Sequence, residues 1–81
     1  MTPEDKIKYV KATLDTLNSE VKVQWSKNYI AMRVNENIAN DENNDQKKRD
    51  TAAKEVEACK ANMKVAEQQI ANFDWLLTQE K

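Results

Sequence analysis

The residue types that carry most protein chemistry are sparse in this chain, and where they stand the spacing assembles no reaction. There is no histidine, which removes serine and cysteine triads and the usual zinc sites. The one thiol, Cys59, falls on an apolar helical stripe, where a packing role is expected in place of a nucleophilic one. A single cysteine cannot form an intramolecular disulfide, so a reducing, cytoplasmic setting is expected. Inward-facing glutamates could build a carboxylate metal site in a helical bundle. The acidic stripe residues here, Glu42 and Asp45, instead fall in an expected turn. No enzyme activity, cofactor or metal is expected.

Two polar clusters need closer reading. Asp41, Asn43 and Asp45 match the first three ligand positions of a calcium-binding EF-hand loop, but the glycine that should follow is Gln46 and the twelfth-position glutamate would be Ala52. These oxygen-rich side chains are expected to cap helix ends and keep a turn soluble. Lys47, Lys48 and Arg49 form the basic cluster. In the first turn of a second helix they oppose the helix dipole, so they could meet phosphate or an acidic partner. Acidic neighbours at 41, 42, 45 and 50 weaken that field, and no aromatic residue is interleaved to stack on bases. A solvated charge run is the competing reading. Overall the 13 basic and 14 acidic residues nearly cancel, so no net field draws the chain to nucleic acid or to an anionic membrane.

The elements that must hold these side chains are helical. With no glycine and a single proline, Pro3, the chain lacks the residues that tight hairpins and phosphate-cradling loops use. Thr2-Pro3-Glu4-Asp5 reads as a helix start: Thr2 can cap free amides, Pro3 suits the first position, and Asp5 can reach back as in a capping box. Apolar residues then recur at spacings of three and four, first Ile7, Val10, Leu14, Leu17 and Val21, later Ala52, Val56, Cys59, Met63, Ala66, Ile70, Phe73 and Leu77. Such heptad stripes let one helix lie along another.

The stripe turns polar at Gln24, Asn28, Asn35, Glu42, Asp45 and Arg49, and residues 40 to 50 hold no apolar side chain. Asparagine favours caps and turns over helix interiors. The expected fold is therefore all-α: an antiparallel two-helix coiled-coil hairpin, with helix one about 3–39, a turn about 40–45 and helix two about 46–80. Folding near residue 42 would set Ile7 opposite Leu77, Val10 opposite Phe73, Leu14 opposite Ile70, Leu17 opposite Ala66 and Val21 opposite Met63. One continuous helix, pairing antiparallel with a second copy through the same contacts, is the competing architecture.

Large apolar residues off the stripe point to association. Between 23 and 34 stand Val23, Trp25, Tyr29, Ile30, Met32 and Val34. At about 100° per residue, Trp25 and Met32 stay near the seam, whereas Val23, Ile30, Val34 and Ile38 gather on nearly the opposite face. One neighbouring helix cannot cover both sides, so assembly into a four-helix bundle or larger homo-oligomer is expected. A different protein using that face is the alternative, and a broad core face with ordinary exposed hydrophobes is the plain one. Gln24, Asn28 and Asn35 could specify register and partner number, or could simply be solvated near the turn. Tyr9 and Trp75, level across the expected hairpin, and Leu76 beside them could shield the core edge or meet a partner.

In length and outline the chain resembles secretion needle subunits and prefoldin-type chaperones, although needle subunits usually turn at a proline-containing segment and this turn has none. Its size, asparagine-rich style and lack of catalytic residues also resemble phage accessory proteins that bind and inhibit host machinery. These are likenesses of class and carry over no residue. The expected function is a non-enzymatic helical module that self-associates and binds another protein, as an inhibitor or assembly factor. The alternative is a nucleic-acid accessory protein using Lys47, Lys48 and Arg49. No stretch has the length or greasiness of a membrane span, so no membrane partner is expected.

Overall fold

Helix α1 (Pro3–Asn40) begins at the capping signal, where the Thr2 hydroxyl accepts the Asp5 amide at 3.2 Å and Pro3 occupies the first turn. Glu4 and Asp5 complement the positive end of the helix dipole there. Helix α2 (Gln46–Gln79) begins at Asp45, whose carboxylate accepts the Lys48 amide at 2.8 Å. The computed structural model describes residues 1–80, and in it the two helices pack antiparallel as an extended hairpin 63 Å long and 15 by 13 Å in section. An unbroken helix of this chain would span about 120 Å at about 1.5 Å per residue, so the continuous-helix alternative is set aside.

The reversal at 41–45 is made without glycine, and no described residue has positive φ. Side chains shape the turn instead. The Asp41 carboxylate accepts the Asn43 amide at 2.9 Å in an Asx turn, and the Asn44 amide donates to the Asp41 carbonyl at 3.1 Å. The Asn44 side chain donates to the Ile38 carbonyl at 3.2 Å, and Arg49 Nε to the Ala39 carbonyl at 2.9 Å. Carbonyls left over at the end of α1 are thereby satisfied from the turn and from the first turn of α2.

The seam of α2 follows the expected stripe: Ala52, Val56, Cys59 and Ala66 are buried, and Met63, Ile70, Phe73 and Leu77 are half-buried between and beyond them. The seam of α1 departs from expectation after Leu14. Asn18 is buried at 8% exposure, whereas Leu17 is 38% exposed. From there Val21, Trp25, Asn28, Met32, Asn35 and Ala39 carry the contact, so one of the two expected seam rows is replaced by its neighbour one residue later.

The pairing moves with it. Asn18 hydrogen-bonds Asp74, Trp25 bonds Glu67 and Asn28 bonds Asn62, placing α1 about six to eight residues, one heptad, from the expected register. The physical reason is volume. Small side chains on the facing row of α2, Ala52, Cys59 and Ala66, leave room for larger ones, and Met32 forms the central cluster with Val56 and Cys59, flanked by Ala31 and Met63. The five-residue turn lets α2 restart in its own phase, so the heptad need not run through it.

The core is thin. Six hydrophobic residues are buried among those described, and no side chain is fully enclosed. Leu14→Ala should destabilise the hairpin by about 2–5 kcal/mol, while Leu17→Ala should cost under about 1 kcal/mol. Urea unfolding measures both, and equal losses would contradict the shifted seam. Cys59, buried and unpaired, should react slowly with a thiol reagent in the folded protein and at once in denaturant.

Candidate protein-interaction surface

A two-helix hairpin has one seam and leaves the rest of each helix to solvent, so any binding site must be assembled from its outer faces. The structure divides the candidate residues into three sets. Met32 belongs to the interior, at 8% exposure in the central cluster. Trp25 is half-buried at the seam edge, where its indole N–H donates to the Glu67 carboxylate at 3.1 Å. Its ring stacks on Tyr29 with centroids 5.5 Å apart and planes 9° from parallel, an offset arrangement that stiffens both side chains. Ile38 and Leu76 are likewise half-buried. Ile38 lies beside Asn35, Thr51 and Ala52 near the turn, on the flank of the seam and not on the far side of α1.

The second set remains open to solvent. Val23, Ile30 and Val34 are 50, 62 and 55% exposed. Spacings of seven and four align them along α1 on the side away from α2. Three β-branched aliphatics held in line on one helix make an apolar strip that α2 does not cover. Lys27 lies within the same strip. Tyr9 and Trp75 are also exposed, at 60 and 63%. They are not level across the hairpin: Trp75 follows Asp74, which bonds Asn18, two turns along α1 from Tyr9.

The third set is the basic cluster. Lys47 and Lys48 are exposed, but Arg49 is half-buried and its guanidinium is anchored by an Nε–H bond to the Ala39 carbonyl. Arg49 is a fastener of the turn, leaving two lysines facing out. Among the described residues no three His, Cys, Asp or Glu side chains gather to hold a metal ion, and no helix is long and apolar enough to cross a membrane.

Comparison with protein-family models, curated proteins and solved structures finds no match for the chain. What the surface can do must therefore follow from its own chemistry.

Polar residues at the seam have structural roles. Asn28 and Asn35 each donate to the carbonyl four residues back, at 2.9 and 2.8 Å, and Asn28 also accepts from Asn62 at 3.2 Å. Gln24, expected in the seam, is exposed. The residue that sequence reasoning passed over is Asn18. Its amide N–H donates to Asp74 at 3.2 Å while its buried Oδ1 has no protein partner. The signal that could have found it is the stepwise spacing Leu14, Asn18, Val21, Trp25, which competes with the strict heptad through Leu17. A buried amide held by one bond across the seam stabilises less than an apolar side chain of similar size would, while its direction helps to hold register. Asn18→Leu should raise the unfolding free energy by about 1 kcal/mol or more. Chemical denaturation checks it, and a loss of stability would show that the Asp74 bond outweighs the gain from an apolar side chain.

Proposed function

We propose that the chain is a non-enzymatic helical interaction module that self-associates and binds another protein, acting as an inhibitor or assembly factor by occupying a surface. The observation that carries this reading is the strip of Val23, Ile30 and Val34, each half exposed or more on the far side of α1. Soluble helices normally turn polar residues outward, and aligned exposed aliphatics mark contact surfaces. The thin interior adds to it, because a hairpin with six buried hydrophobic residues has much to gain from further burial.

Magnitudes limit what the strip does alone. Full burial of an aliphatic side chain is worth about 1.5–3 kcal/mol, and these are already partly covered. At roughly half exposure, six of them from two copies contribute about 5–10 kcal/mol, short of the upper part of the association cost of about 4–15 kcal/mol. A stable oligomer therefore needs more surface than this row, and a second helix must contribute.

Nucleic-acid binding through the basic cluster has less support, since Arg49 is engaged within the turn. The mass of the protein in solution tests the self-association directly: a species of at least twice 9.4 kDa is expected at tens of micromolar, and a monomer there would overturn it. Val34→Glu should shift the equilibrium toward monomer with helical circular dichroism retained. Wholesale unfolding of that variant, with no folded dissociated species, would assign the strip to the hairpin core instead.

A further inference from the structure

Because the seam of α1 steps from Leu17 to Asn18, the row Leu17, Gln24, Ala31 and Ile38 is moved to the flank of the interhelix contact, where it borders one broad face of the hairpin, with Leu17 and Gln24 exposed and Ala31 and Ile38 half-buried. Helix α2 borders the same face with Glu55, Asn62, Gln69 and Leu76, as the Asn28–Asn62 hydrogen bond and the groove shared by Gln24, Asn28, Asn62 and Gln69 show. One of these eight flanking residues carries a charge. On the opposite broad face, marked by the Trp25–Glu67 and Asn18–Asp74 bonds, the corresponding rows differ. There α1 presents Asp15, Lys22, Tyr29 and Glu36, and α2 presents Ala53, Lys60, Glu67 and Asp74, so six of eight are charged.

We propose that the charge-poor face is the seat of a second copy of this chain, packed face to face to make a four-helix bundle. The inference rests on the self-association reading above and says which surface performs it. A two-fold contact sets each group against the same surface of its mate, so an ionic face would bring rows of fixed charges together and desolvate them. An amide escapes that penalty, because it is donor and acceptor at once and pairs with its own kind. Gln24, Asn28, Asn62 and Gln69 form such a self-complementary patch at the middle of the face, around Val65 and Ala66, with Glu20 the one charged residue that also lines it. The patch is flanked toward the open end by Leu17 and Leu76 and toward the turn by Ala31 and Ile38. Leu17 and Val65, 38 and 60% exposed, become core residues of the bundle, and the amide layer fixes the register of the two copies. Val34 lies on the border of this contact, while Val23 and Ile30 stay uncovered for the other protein.

The test uses exposed positions that the fold of the hairpin does not need. Gln24→Lys with Gln69→Lys in one chain, and Gln24→Glu with Gln69→Glu in another, should each sediment as a folded 9.4 kDa monomer. Mixed in equal amounts, the two should recover the mass of the dimer, with circular dichroism unchanged throughout. If the parent protein self-associates and both double variants still do so unaltered, the inference is overturned. Dissociation by Ile30→Glu in that case would move the second copy to the outer strip of α1. A parent protein that is itself monomeric would sink the self-association reading and this inference with it.

Discussion

The register of the hairpin rests on bulk packed against its absence. Along one row, α2 presents Ala52, Cys59 and Ala66, side chains too small to fill the space between two helices. Helix α1 answers with Met32 at the centre, in contact with Val56 and Cys59, and with Trp25 one heptad before it. Packing outweighs the other contributions in a molecule with so little interior, because each void or clash is a large share of a small total. Once Met32 is seated, the positions of all other side chains along α1 relative to α2 follow.

One consequence is the polar content of the seam. Seating Trp25 and Met32 brings Asn18 into the contact, where it joins Asn28 and Asn35 of the retained row, at positions an apolar residue would stabilise more. Asn28 and Asn35 donate to carbonyls of their own helix, whereas Asn18 reaches across to Asp74. The two ion pairs among the described residues, Arg33–Glu36 and Glu57–Lys60, lie within single helices on the surface and add little. The pairing of α1 with α2 thus depends on a short apolar cluster and a few directional hydrogen bonds. That combination specifies one arrangement more strongly than it stabilises it.

A second consequence is the unequal charge of the two broad faces. A seam that took Leu17 inside would have buried the row that now lies on its flank, leaving less apolar surface for a partner. The same step that orders the hairpin thus sets the row from Leu17 to Ile38 along a weakly charged flank.

The helical architecture and the stripe of α2 were legible in the residues alone, for reasons local to the chain. The absence of glycine, the Thr2 and Asp45 caps, the run from Asn40 to Asp50 without an apolar residue, and the regular spacing from Ala52 to Leu77 each act within a few residues. So did the outward direction of Val23, Ile30 and Val34, which depends only on helical geometry. The pairing of α1 with α2, the burial of Asn18 and Met32, the exposure of Leu17 and the separation of Tyr9 from Trp75 were decided by tertiary structure. In α1 two overlapping rows both satisfy the three-and-four spacing, one through Leu17 and the other through Asn18. Periodicity cannot rank them, because the ranking depends on the volumes that the other helix presents across the contact.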